Sequence, residues 1–442
     1  MGICNFPPAL QPIIQNGFLE REFETALQSK LGYRACADRQ QFAVGIGETL
    51  TKTRAGLKPP VTTPLSAAAN TNFDNGLTPS GFNVEQYTIT LNHYAATTDL
   101  NMVTSRVGIA SQFLLNAAIN GEQAARSLDE LARNTLFAAY FGGNTWVRAT
   151  LGSPSNNLAV DDIRGFQYIF VNGVPTPVGG AGSLLVNIGA SQYTLVSAVA
   201  DAPVNQASKA PNGISGVLTL SSPVSVSDGT INNSVMAVTA SSILRPNGRT
   251  NTTQLVAGDA LVMDNLLTAV AQLRSNAVPE IDGAYNCYLD PMSARQLFAD
   301  PAFRQLFQGA TSANVVFRKG MLNDFLGLRF IPTTEAFLQN APSNGTLTVR
   351  RPIVCGMGAL VEGDFAGMDA SDVAPKDSII SMVDEVAMVT REPVDRLQQI
   401  ISQSWYWIGG FAAPSDVTTN PANLSTATAS AFKRAVIIEH IG

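Results

Sequence analysis

A nucleophile–histidine relay or a histidine-rich metal centre needs an imidazole with suitable partners beside it. This chain has two histidines, His93 and His440. His93 sits in an alternating segment that reads as a strand, and His440 lies close to the final residue. Neither has a hydroxyl, thiol or carboxylate at a spacing that builds a site, so both read as structural. Cys287 lies in Tyr285–Leu289 without a basic neighbour to generate a thiolate, and reads as a buried core thiol. Asp161-Asp162 and Asp384-Glu385 are adjacent carboxylates. Neighbouring positions on a strand point to opposite faces, whereas acid–base work needs both groups on one side. Both pairs read as turns or solvated edges.

Two further motifs invite a ligand. Gly356-Met357-Gly358 follows the apolar run Ile353–Cys355, as a dinucleotide fingerprint would, but the third glycine arrives at 363 instead of 361. There is no G-x-x-x-x-G-K-[ST] phosphate loop. Trp405-Tyr406-Trp407 could stack on a sugar or a base. Alternation puts Trp405 and Trp407 on one face, which reads as core or subunit-interface packing. The expectation is no catalytic residue, no cofactor and no metal.

The elements that would position any site come from a chain of 442 residues, 45% hydrophobic and only 14% charged, with net charge −6. Ordinary soluble domains carry about 25% charged residues. A low charge content implies either a neutral Ser/Thr/Asn-rich surface or much surface buried against other subunits. Only seven of the 28 basic residues are Lys, and Arg sheds its water more readily at interfaces. No Lys/Arg run exceeds two residues: Arg318-Lys319, Arg350-Arg351 and Lys433-Arg434 are the densest. Sequence-specific DNA binding is therefore not expected. The cysteines Cys4, Cys36, Cys287 and Cys355 form no C-x-x-C pair and read as free thiols of a reducing compartment. Met1–Leu10 lacks the pattern of a secretory leader, and Phe6 breaks the myristoylation pattern that Gly2 would start. No run of about 18 apolar residues spans a membrane.

Residues 1–46 read as an arm that needs a partner, with a short helix at Glu20–Leu31. Residues 47–100 read as a long β-hairpin: a strand starting at Gly47–Lys52, a polar loop at Pro59–Gly81, and an alternating run at Phe82–Asp99. Two strands cannot bury themselves, so the hairpin is expected to lie on a neighbour. Residues 103–141 carry apolar positions three and four apart and predict one long helix. Thr104 or Ser105 would cap it, Gly121 would weaken its middle, and Gly142-Gly143 would end it. Nine of the 111 residues in 148–258 are charged and none is Glu. Strands are predicted there at Tyr168–Val171, Leu184–Ile188, Tyr193–Val199, Gly216–Leu220 and Val235–Ala240, making an inserted all-β domain. Beyond it come a helix over 259–276, the strand Tyr285–Leu289, helices at Met292–Ala299 and Pro301–Phe307, and the strand Phe325–Ile331. The last strands are Ile379–Val383, Val386–Val389, Ile400–Ile408 and Ala435–Ile441.

Four segments carry a resemblance. Phe82 to Gly143 looks like a returning hairpin strand followed by a spine helix. Asn286-Cys287-Tyr288-Leu289-Asp290-Pro291, then Met292-Ser293-Ala294-Arg295-Gln296-Leu297, looks like a strand, proline and helix of a central domain. Leu326-Gly327-Leu328-Arg329-Phe330-Ile331-Pro332-Thr333 looks like a glycine-to-proline strand. Arg391-Glu392-Pro393-Val394-Asp395 through Trp407 fits peripheral strands. Their order resembles the major capsid proteins of tailed bacteriophages, the Hong Kong 97-like shell fold. The resemblance implies an α+β fold with an N-terminal arm (1–46), an extended-loop hairpin (47–100) and the spine helix of a peripheral domain (101–147). An inserted β-rich domain (148–258), an axial domain (259–345) and the remaining axial and peripheral strands (346–442) complete it. It further implies self-assembly as hexamers and pentamers into an icosahedral shell around double-stranded DNA. Scaffolding, portal and decoration proteins would be partners, assembly would occur in the host cytoplasm, and the membrane would play no part. Arg54, Phe73 and Phe82 on the hairpin would be inter-subunit contacts. Two other readings stand beside it: an encapsulin-like nanocompartment shell, and a carbohydrate-binding virion-associated protein.

Overall fold

Two-residue alternation recurs along the chain, and strands outnumber helices. The computed structural model describes residues 10, 18–28, 32–42, 49–55, 61, 62, 64, 84–102, 109–171, 174–180, 182–203, 207–308, 324–342, 345–365, 378–383, 385–393, 395–397, 399–416 and 430–442. Helix α1 covers Phe18–Gln28, and a 3₁₀ turn at Tyr33–Cys36 leads into β1, Ala37–Phe42. Strands β2 (Thr49–Ala55) and β3 (Val84–Thr90) form a two-stranded ribbon. Then follow β4 (Asn92–Asn101), the 32-residue helix α2 (Ile109–Tyr140), β5 (Asn144–Trp146), β6 (Ser155–Val160), β7 (Tyr168–Val171) and β8 (Val174–Pro177). Next are β9 (Leu184–Ile188), β10 (Ser191–Ala200), β11 (Gly216–Val224), β12 (Ser234–Ala237), β13 (Ile243–Leu244), α3 (Met263–Ser275) and β14 (Tyr285–Leu289). The chain continues through α4 (Pro291–Ala299), α5 (Pro301–Gln308), β15 (Asp324–Phe325), β16 (Leu328–Pro332), β17 (Gln339–Asn340), β18 (Thr348–Arg350) and β19 (Ile353–Cys355). It finishes with β20 (Leu360–Phe365), β21 (Ser378–Val383), β22 (Val386–Arg391), β23 (Ile400–Ala412), β24 (Ala435–Ile438) and β25 (His440–Ile441).

These elements sort into two units, each drawn from three stretches of chain: Met1–Leu50, Thr88–Thr135 and Leu360–Ala412 in the first; Thr51–Tyr87, Leu136–Ala359 and Ala413–Gly442 in the second. In the first unit a sheet runs β1-β20-β23-β22-β21, with β4 also pairing with β23. Alternation along β23 turns Ile401, Gln403, Trp405 and Trp407 inward. There they meet Phe23 and Leu27 of α1 and Phe113, Ala117 and Leu128 of α2. Trp407 is fully buried and stacks between Tyr94 (5.9 Å) and Phe411 (5.5 Å). The Trp pair is core, as its shared face required.

Three expectations change here. The alternating run does not stay in the hairpin: after Leu91 it becomes β4, pairing with β23 from Asn92↔Gly409 to Asn101↔Ile400. Its Tyr94, Ala96 and Leu100 face the core, and burying them outweighs continuing a two-stranded ribbon. Gly121 is a point of close approach: an added Cβ would lie 2.7 Å from the Phe23 carbonyl oxygen and 3.0 Å from Ala26 Cβ. The described part of the N-terminal stretch packs on its own unit. Arg34 and Glu362, both essentially unexposed, form a forked ion pair with a closest approach of 2.6 Å. Asp129 of α2 accepts from the Gly32 and Arg34 amides at 3.0 and 3.2 Å. The proposed caps Thr104 and Ser105 lie outside the described residues.

In the second unit, β5-β12-β9-β10-β11-β6 form one sheet and β7-β8 a short ribbon. Leu158, Val160, Val186, Ile188, Leu218 and Val235 line the inner face of this sheet. A second sheet runs β13-β24-β19-β14-β16-β15, with Leu266, Val270 and Leu273 of α3 and Leu297 of α4 in the same apolar cluster as its strands. All five residues of β14 are buried, the polar Asn286 among them, as befits a strand covered on both faces. Asp290 then caps α4, accepting from the Met292 and Ser293 amides, with Pro291 in the first turn where no amide is needed. A three-stranded sheet, β17-β18-β25, completes the unit. Behind it Glu439 pairs with Arg351 at 2.7 Å and Arg245 at 2.6 Å, and Arg351 lies 4.5 Å over the Phe141 ring.

Candidate functional site

The residues whose types could do chemistry are buried, paired or far apart. His440 Nε2 lies 2.7 Å from Ser293 Oγ, and both residues are fully buried. Ser293 Oγ donates to Asp290, which also pairs with Arg350. A hydrolytic triad places the carboxylate on the imidazole; here the carboxylate is on the serine. Burial pushes the His440 pKa down to about 4, so the ring is neutral at pH 7 and ties β25 to the start of α4. His93 is exposed and packs edge-on against Tyr406, 5.5 Å away. Cys287 is fully buried and its thiol is pushed up to about 12, the opposite of an activated nucleophile.

The carboxylate pair at 161 and 162 is not a solvated edge. Asp161 is 1% and Asp162 4% exposed. Asp161 accepts from the Lys209 amide at 2.9 Å and from Ser208 at 3.2 Å, and burial raises its pKa. Asp162 takes both Nε and Nη2 of Arg164, the nearer at 2.6 Å. These bonds fix loops that would otherwise leave backbone amides unsatisfied. Asp384 lies outside the described residues, and Glu385 pairs with Arg34 at 3.1 Å. Among the described residues no group of three or more His, Cys, Asp or Glu could hold a metal, and no helix is long and apolar enough to cross a membrane.

What the fold does bring together is a charge cluster at the end of the β2–β3 ribbon next to the joining segment. Arg54 on β2 and Glu85 on β3 both point into the second unit. Arg54 Nη1 pairs with Asp416 Oδ1 at 3.2 Å, and its Nη2 donates to the Gly358 carbonyl at 2.7 Å. Arg434 reaches the same Asp416 oxygen at 2.9 Å and the Met357 carbonyl at 3.0 Å. Ser415 Oγ donates to the buried Glu85 carboxylate. Lys433 is buried close by; burial lowers its pKa against the opposing pull of Asp416 and Glu85. Tyr140 donates to the Ala359 carbonyl at 3.2 Å, and burial raises its pKa well above the ordinary value.

The Gly356-Met357-Gly358 turn therefore serves arginines, not a cofactor. At Gly358 the backbone is left-handed (φ +72) and an added Cβ would come within 3.1 Å of both guanidiniums. Only glycine allows both to reach the carbonyls. The paired arginines and carboxylates form an ionic clamp, with Lys433 Nζ buried beside them without a hydrogen-bond partner among the described residues. Of the three contact residues expected from sequence, Arg54 is held within its own chain, while Phe73 and Phe82 lie outside the described residues. Glu85, Asp416, Lys433 and Arg434 were missed. Two signals pointed to them: a carboxylate on the strand face that carries Tyr87 and Ile89, and the Lys433-Arg434 pair.

No family model and no curated protein matches the chain. Among solved structures, the capsid of Ralstonia phage GP4 is similar, with a TM-score of 0.48 and 11% identity over 93% of this chain and 92% of that one. The capsid of Cyanophage P-SCSP1u is similar with a TM-score of 0.45 and 10% identity over 92% and 86%. The Cyanophage Pam1 capsid asymmetric unit is similar with a TM-score of 0.42 and 11% identity over 89% and 85%.

Proposed function

We propose that this chain is the major capsid protein of a tailed bacteriophage, built on a Hong Kong 97-like fold. Copies of it close an icosahedral shell around double-stranded DNA. The observation that carries this reading is the β2–β3 ribbon. No residue of β2 is buried, and an unsupported two-stranded ribbon is marginal in water. Yet the end of the ribbon next to the joining segment is clamped by Arg54, Glu85, Asp416 and Arg434. A ribbon that buries Glu85 and Ile89 of β3 but leaves all of β2 uncovered is suited to take another copy of the chain along β2. Hexamers and pentamers, with scaffolding, portal and decoration proteins as further partners, are the assembly this implies. The net charge of −6 suits a wall that encloses DNA without gripping it.

The test is removal of Leu65–Pro79, the middle of the segment joining β2 to β3. The expected outcome is a folded subunit, with unchanged far-ultraviolet circular dichroism, that forms no closed shells by electron microscopy. Normal shells from the deleted chain would remove the ribbon from the account.

A further inference from the structure

We propose that His440 is an acid-operated latch: near neutral pH it fastens the last strand, β25, to the start of α4, and in acid it lets that strand go. The latch lies wholly within the second unit and works in a lone subunit, so it stands or falls separately from the shell reading.

Little apolar packing holds this strand. β25 is an edge of the β17-β18-β25 sheet, and its two residues pair with β18 as Val349↔Ile441 and Arg350↔His440. Gly442 adds one amide bond, to the Thr348 carbonyl at 3.2 Å. Ile441 sits in a small cluster with Leu255, Ala341 and Val349. The preceding β24 differs: all four of its residues are buried, and Val436 and Ile438 belong to the large core that includes α3 and β14. Between the two strands Glu439 is buried and held by Arg245 and Arg351. Opening therefore stops at Glu439 and leaves the large core intact.

The rest of the fastening is polar. Gln296 Nε2 of α4 donates to the Ile441 carbonyl at 2.7 Å, and the Ile441 amide donates to the Asp259 carbonyl at 2.8 Å. His440 is fully buried, with Nε2 2.7 Å from Ser293 Oγ. An ionised carboxylate only accepts, so the single hydroxyl hydrogen of Ser293 goes to Asp290. Ser293 then accepts from His440, and the neutral ring carries its proton on Nε2. Nδ1 is left bare, 3.3 Å from the Ile441 carbonyl.

A second proton has to enter at Nδ1. Burial of the ring opposes it, and so does the Arg350 guanidinium; the Ile441 carbonyl, Asp290 and Glu439 favour it. Those two carboxylates are already taken, Asp290 by Arg350 and Glu439 by Arg245 and Arg351. A protonated ring thus joins three arginines around two carboxylates, in a place without water to solvate it. Releasing residues 440–442 hydrates the imidazolium and gives up few contacts, while Ser293 and Asp290 keep the start of α4 capped. With a ring pKa of about 4 when closed and the ordinary 6.5 when open, the open fraction rises about fiftyfold between pH 7 and 4.5.

Amide hydrogen exchange of the full chain, read residue by residue and corrected for intrinsic rates, tests the latch. Ile441 is expected to lose about fiftyfold in protection between pH 7 and 4.5. Cys287 and Tyr288 of β14 are expected to lose less than about threefold over the same range. His440→Gln is expected to remove the difference between the two strands. Arg350→Met takes away the opposing cation, and is expected to shrink the loss at Ile441. Equal protection of Ile441 at both pH values overturns the latch, and so does a β14 that loses protection in step with it. A folded His440→Gln or Arg350→Met chain that responds to acid as wild type does also overturns it.

Discussion

His440 shows how a residue type that suggests catalysis is spent on structure. Its ring is buried among Ser293, the Ile441 carbonyl, Asp290, Arg350 and Glu439, and its pKa falls from 6.5 to about 4. Between those two values the unfolded chain binds a proton that the folded chain refuses. Stability is therefore full above pH 6.5 and is lost as the pH falls toward 4. The loss from this one group amounts to about 2 kcal/mol between pH 7 and 4.5. His440→Gln is expected to lower stability at pH 7, where the Ser293 contact is weakened, but to flatten this part of the acid limb. Urea titrations of both proteins at several pH values measure it; parallel curves would contradict the assignment. The carboxylates at 161 and 162 teach the same lesson. Adjacency excluded a catalytic pair, but only the fold revealed that both were buried to hold loops.

At the scale of elements, α2 and α1 make the sharpest prediction. On helix propensity alone, Gly121→Ala would stabilise α2 by about 1 kcal/mol. The new Cβ would sit 2.7 Å from the Phe23 carbonyl oxygen, so the substitution is expected to destabilise by about 1–3 kcal/mol instead. Chemical denaturation decides it, and a stabilised variant would contradict the close approach of α1 to Gly121. Long, strongly periodic elements such as α2 and β23 were legible in the sequence because local pattern alone specifies them, and β14 because a short run ends at Asp290-Pro291. The partner of β4 was not: its alternation suits a hairpin and a sheet equally, and β23 lies about three hundred residues away. Strand β6, Ser155–Val160, was also missed because Ser155, Asn156 and Asn157 mask its alternation. The clamp on the β2–β3 ribbon was hidden for the same reason as the β4 partner. Arg54 was visible as a residue, but Gly358, Asp416 and Arg434 are neighbours only in three dimensions.

At the scale of the whole molecule, the low charge content of the sequence acquires a cause. Arginines 34, 54, 245, 351 and 434 are engaged in ion pairs inside their own units. At the ribbon, β2 is left with nothing buried. A two-stranded ribbon with one bare strand is marginal alone, and a closed assembly would cover it. Assembly is what such a ribbon calls for, and electron microscopy of the purified full-length chain, with and without a scaffolding protein encoded by the same genome, decides it. The account predicts closed shells of uniform size or five- and six-fold rings. A chain that remains monomeric under every condition would contradict it.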